Sequence, residues 1–191
     1  TIEAERCCAS GAWRPTTRLT HVTRAFIVYS KAKPRLVLDL RHLNSFVSPM
    51  PCRMEGLTAL RRLLRRHDFM FSVDIADAYH HVAFHDDDVH YFTFGLELMD
   101  GVRFFNTPVL NFGFTNSPAI FTEVMAAVVS HLRHPAHAAH HRSYGVVKSH
   151  MNAPQGMHVL PWIDDFLFIT DGRLGYEHAV QMRDAVHSLF A

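Results

Sequence analysis

The sequence predicts an α+β fold in which small antiparallel hairpins are interspersed with isolated helices. Three observations carry this reading. Residues 35–41 alternate strictly, with Leu36, Leu38 and Leu40 on one face and Arg35, Val37, Asp39 and Arg41 on the other. Two apolar runs, 159–163 and 166–170, are separated only by Asp164-Asp165, the pattern of a hairpin with a carboxylate tip. Between them in the chain, Ile120, Phe121, Val124, Met125, Val128, Val129 and Leu132 recur at helical spacing. No regular strand–helix–strand alternation links these elements.

Each element follows in order. Residues 1–20 lack periodicity and carry Pro15, so an irregular lead-in is expected. Residues 26–29 pair with the strand of 35–41 across the turn-like stretch 30–34. A short helix spans 56–66, with Leu57, Leu60, Leu63 and Leu64 inward and Arg61, Arg62, Arg65 and Arg66 outward. Residues 69–74 read as a strand, with Phe69, Phe71 and Val73 facing one way and Met70, Ser72 and Asp74 the other. A helical turn is expected over 76–82, then strands at 91–94 and 102–105 around Met99-Asp100-Gly101. Ser117-Pro118 opens the long helix as a capping serine before a first-turn proline. Residues 133–157 are rich in His, Ala and Gly and read as a loop or insertion, and a last helix begins at Tyr176.

Composition sets outer limits. Nearly half the residues are hydrophobic, which excludes a disordered tail, and 19 basic against 18 acidic side chains select no partner by overall charge. Cys7, Cys8 and Cys52 make no disulfide framework, so a reducing intracellular setting in cytoplasm or nucleus is expected, not secretion. No apolar run reaches the length of a membrane span and no signal peptide opens the chain, so no membrane partner is expected. Thr1 at the start and a helical pattern running up to Ala191 suggest a fragment.

The chemistry lies in the acidic residues. In Trp162-Ile163-Asp164-Asp165-Phe166 two like charges sit where apolar strands meet, and they repel unless a cation intervenes. Alone, such a pair reads as an acidic turn. Asp74, however, also closes an apolar strand, and two acidic strand ends side by side in an antiparallel sheet make a three-carboxylate site. Hard oxygen donors suit Mg²⁺, and two such ions can stabilise both oxygens of an in-line phosphoryl transfer.

Four segments in this order resemble reverse transcriptase motifs. Residues 34–44 resemble the fingers motif ending Asp-x-Arg-x-x-Asn. Residues 74–79 resemble motif A, 111–121 motif B, and Trp162-Ile163-Asp164-Asp165 motif C. The first two are most similar to DIRS-like, tyrosine-recombinase retrotransposons. The resemblance implies a right-hand polymerase with an antiparallel palm sheet backed by helices. Residues 21–68 and 83–116 would be fingers, 69–82, 117–132 and 158–191 palm, with a chain truncated before the thumb and RNase H regions of its parent. Asp74 and Asp164 would hold two Mg²⁺ ions (Mn²⁺ able to substitute), with Asp165 as third carboxylate and the Ile75 carbonyl as a further ligand. Arg35 would clamp the dNTP triphosphate, helped by Lys31 or its competitor Lys33. Tyr79, with Asp77 and Ala78 beside it, would exclude a 2′-hydroxyl. Phe112 and Gly113 would border the nucleotide, and Ile163, Trp162, Ser117 and Pro118 the RNA or DNA primer–template.

The sequence departs from the family pattern in two places: Trp162 stands where the motif usually has Tyr, and Asn111 where Pro is common. The spacing from Phe121 to Asp164 is also long, and the excess falls in the His-rich stretch. There His134, His137, His140 and His141 lack a second standard ligand pair, so an insertion or retained non-coding segment is preferred to a zinc site. Asp86-Asp87-Asp88 reads as a solvated loop, and Asp39 and Arg41 as structural. The four arginines of 61–66 face either solvent or template phosphates. The rival to an active polymerase is a catalytically inactive relic or domesticated nucleic-acid-binding module.

Overall fold

Two antiparallel-rich sheets organise the chain, one in each of two compact units. The computed structural model describes residues 2–29, 34–52, 54–132, 157–163 and 165–190. In chain order the elements are α1 (Ile2–Ala9), β1 (Arg14–Pro15), β2 (Val22–Tyr29), β3 (Pro34–Asp39), α2 (Arg41–Asn44), α3 (Leu57–Leu63) and β4 (Phe69–Asp74), then β5 (Thr93–Leu98), β6 (Gly101–Asn106), α4 (Ser117–Leu132), β7 (Met157–Trp162), β8 (Asp165–Thr170) and α5 (Gly175–Phe190). Short 3₁₀ turns sit at Ala78–His81, Val89–Tyr91 and Gly172–Leu174. One unit takes residues 1–51 and 77–118, the other 52–76 and 119–191.

The first unit holds a five-stranded sheet in the order β1-β6-β5-β2-β3. Its pairs are antiparallel except β2 with β5, which run parallel at Val22↔Thr93 and Thr23↔Phe94. Residues 2–9 correct the expectation of an irregular lead-in. They form a helix that lays Ala4 and Cys7 on a core of Trp13, Phe94 and Phe105. Trp13 meets Phe94 edge-on at 5.0 Å, a geometry favoured by the ring quadrupoles. Leu36 and Leu38 pack on the same core, as their alternation predicts. The strand stops earlier than expected, because Asp39 accepts Arg41 N–H and so draws the chain into α2. Tyr91 lies in a 3₁₀ turn rather than a strand, and Met99-Asp100 alone make the β5–β6 turn.

The second unit holds the antiparallel sheet β4-β8-β7. Period-two alternation gives it two different faces. On one, Phe71, Val73, Val159, Phe166 and Phe168 pack against Met125, Val128 and Val129 of α4 and Met182, Ala185 and Val186 of α5. Phe166 and Phe168 are fully buried, each contributing about 2–3 kcal/mol by burial. On the other face α3 sets Leu60 and Leu63 over Leu160, Leu167 and Ile169. This helix is shorter than its apolar spacing predicts. Leu64 turns extended at ψ 127°, and Leu57 and Leu64, expected inward, are exposed. Arg65 and Arg66 therefore follow the helix instead of lying on it. The His-rich residues 133–156 lie outside the described residues.

Candidate active site: paired carboxylates at a sheet end

The uncovered end of the three-stranded sheet collects the acidic residues. The β4–β8 ladder runs from Phe69↔Thr170 to Asp74↔Asp165, and β7 joins at Trp162↔Asp165. Asp74, Asp165 and Trp162 thus form one row on the face that also bears Ser72, Leu167 and Leu160. Directly opposed residues of an antiparallel pair have Cα atoms about 4.5–5.5 Å apart, so both carboxylates are within reach of one ion. Like charges so placed are destabilising. Neither carboxylate has a hydrogen-bond or ion-pair partner among the described residues, and both are exposed. A hollow of about 290 Å³ opens beside Asp165, bordered by Glu55, Leu60, Ser72 and Trp162.

The hairpin differs in detail from a tip of two aspartates. Trp162 pairs with Asp165, so Asp165 begins β8 and Ile163 occupies the turn. Ile163 has φ +57°, a conformation that a β-branched residue rarely adopts. Asp164 lies outside the described residues. Among those described, no three His, Cys, Asp or Glu side chains form a metal cluster. The donor set that is present, two unpartnered carboxylates in register, nevertheless suits a hard divalent cation. Ile75 directs its side chain to the core beneath, which leaves only its carbonyl as a ligand candidate.

The other candidates fall in the first unit. Asp77 takes a left-handed conformation (φ +51°) and pairs with Arg6 of α1 at 3.6 Å. It is followed by the 3₁₀ turn that buries Ala78 and Tyr79. His80 in that turn has its pKa pushed down, first by burial. The Tyr79 ring lies 4.8 Å from Phe112, which is itself exposed. Gly113 has φ +89°, a conformation that favours glycine. Ser117 is fully buried and donates its hydroxyl to the Asn111 carbonyl at 2.7 Å. That hydroxyl secures the loop before α4, while Pro118 is half-buried. Arg35 lies in β3 opposite Val28. Lys31 and Lys33 lie outside the described residues.

Three asparagines give this unit a framework that sequence reasoning missed. Asn44 donates to the Gly113 carbonyl at 2.7 Å and accepts Thr115 N–H at 2.9 Å. Asn116 accepts Met50 N–H at 2.9 Å and donates to the Ser48 carbonyl at 3.1 Å. Asn111, in the place where Pro is common, donates to Thr107 Oγ1 and the Val109 carbonyl. An amide carries both donor and acceptor, so one side chain can lock two backbone groups of a distant loop. Asp39 is likewise structural. Arg41 Nε and a terminal guanidinium nitrogen reach its oxygens at 2.8 and 2.6 Å, holding the carboxyl at about 2.

The family model described as reverse transcriptase (RNA-dependent DNA polymerase) matches residues 10–188. No curated protein matches the chain.

Proposed function

The chain belongs to the reverse transcriptase (RNA-dependent DNA polymerase) family, and we propose that it catalyses template-directed DNA synthesis at the Asp74–Asp165 row. The observation that carries this reading is the cross-strand register that sets two carboxylates, unpartnered among the described residues, face to face at the end of a core sheet. A sheet built for stability alone would not oppose two aspartates there, because the pair weakens the ladder. Asp74, Asp165 and Asp164 would hold two Mg²⁺ ions, with the Ile75 carbonyl as an added oxygen. When bound, such ions supply charge stabilisation to the attacking 3′-hydroxyl and the departing pyrophosphate. Arg35, with Lys31 or Lys33, would orient the triphosphate. Tyr79, buried against Phe112, presents a rigid ring suited to exclude a 2′-hydroxyl. Trp162, half exposed in the carboxylate row, offers an aromatic platform for the primer end. The template would be the RNA of a retrotransposon, and the thumb and RNase H regions of the parent polyprotein would complete the machine. Among the described residues, no helix is long and apolar enough to cross a membrane.

Primer extension on a poly-A template with oligo-dT, dTTP and Mg²⁺ tests the proposal. Asp74→Asn and Asp165→Asn should each lower extension at least about a thousandfold, roughly 4 kcal/mol of barrier. Both should still bind primer–template. An Asp165→Asn variant retaining a tenth of the parent rate would refute the assignment.

A further inference from the structure

We propose that Arg61, Arg62, Arg65 and Arg66 form an accessory contact for the phosphate backbone of a nucleic acid, outside the carboxylate row. The inference rests on the polymerase reading for its choice of polyanion. All four side chains are exposed, and none has an ion-pair partner among the described residues. Their concentration is unusual in a chain of formal net charge +1. The nearby loop carboxylates hold other hydrogen bonds, and Asp171 also feels the charge of Arg65. Asp68 accepts the backbone N–H of Arg65 at 2.8 Å and of Gly172 at 3.1 Å. Asp171 takes the Arg173 guanidinium, with Nε at 2.9 Å.

A structural role explains part of the cluster. Arg61 and Arg62 occupy the last turn of α3, where a cation complements the helix dipole. Arg65 and Arg66 lie beyond the helix end and gain nothing from it. Leu60 and Leu63 fix the segment to the sheet face that bears the carboxylates, so the arginines are presented on a rigid support. Guanidinium is the side-chain cation best matched to phosphate oxygens.

Salt dependence of binding reads out such contacts directly, since log K falls by about 0.9 per neutralised duplex phosphate for each decade of salt. Anisotropy of a labelled primer–template with the 191-residue chain gives the slope for the parent and for an Arg61→Ala, Arg62→Ala, Arg65→Ala, Arg66→Ala variant. If two to four contacts are lost, the parent should shed about 10- to 150-fold more affinity than the variant between 50 and 200 mM salt. A fourfold Arg→Lys variant should keep the parent slope. Should the alanine variant fail to fold, Arg65→Ala, Arg66→Ala, outside the helix, should still remove about half the difference. An unchanged slope in a folded variant overturns the proposal, as does polyglutamate competing as well as nucleic acid. Primer extension by the parent separates the two readings. Extension with an unchanged slope removes the arginine surface alone, whereas an arginine-dependent slope without extension removes the polymerase and leaves the surface standing.

Discussion

Gly172→Ala places a methyl group where the second unit leaves no room for one. A Cβ at this position would lie 1.9 Å from the His67 carbonyl oxygen and 2.5 Å from its carbon. An ordinary C···O contact is about 3.4 Å, so the loops must part by roughly 1.5 Å. That movement breaks the Gly172 N–H bond to Asp68 Oδ1 at 3.1 Å. Forced repacking costs about 1–3 kcal/mol and loss of a hydrogen bond to a carboxylate about 1.5–3, giving a total of roughly 2.5–6. This clasp sits just outside Phe69↔Thr170, the end of the β4–β8 ladder farthest from Asp74↔Asp165. Hydrogen exchange read by mass spectrometry should therefore show protection over β4 and β8 falling at least about fiftyfold, since 1.4 kcal/mol is a factor of ten. Protection within threefold of the parent, in a variant that folds, would refute the apposition of the two loops and the reasoning built on it.

Phe168→Ala should destabilise the second unit by about 3–5 kcal/mol in urea unfolding, because the ring is fully buried and stacks on Phe71 at 4.9 Å. Asn44→Ala should raise the KM for dNTP more than it lowers kcat, since its two bonds hold Gly113 and Thr115. Tyr79→Val should admit ribonucleotides in extension assays while leaving dNTP use largely intact. The Asp39 carboxyl, held at about 2 by Arg41, lies below the ~3.9 of an unfolded aspartate. Its ion pair therefore favours the folded state above the unfolded value, and this contribution fades as pH falls through about 2. NMR titration should find that midpoint, and Arg41→Ala should return it to the ordinary carboxylate range.

The second unit was the more legible of the two in the sequence. Its strands alternate large apolar side chains with period two, and its acidic residues interrupt that pattern at strand ends, where an unpaired charge stands out. That two acidic strand ends would lie side by side followed from those two interruptions, while the pairing of Asp74 with Asp165 came from the register. In the first unit the decisive bonds are not written as local patterns. α1 escaped notice because Ala4 and Cys7, which it buries among the described residues, are side chains too small to mark a stripe. The Asn44 and Asn116 clasps join segments 66 to 71 positions apart, and a polar residue in a loop gives no sign of its distant partner. The end of α3 at Leu64 was hidden for a related reason. No breaker stands there, and it is Asp68, capturing Arg65 N–H, that bends the chain away.

Ile163 turns the hairpin in a conformation that glycine or asparagine would accept more readily. Two selections on the same library should consequently part ways at this codon. Enrichment for heat resistance alone should drift toward Gly or Asn, recovering about 1 kcal/mol of backbone strain. Enrichment for cDNA yield should hold the isoleucine, which adjoins the proposed carboxylate row. On the proposed function, the hairpin tip is thus a place where durability and copying would compete.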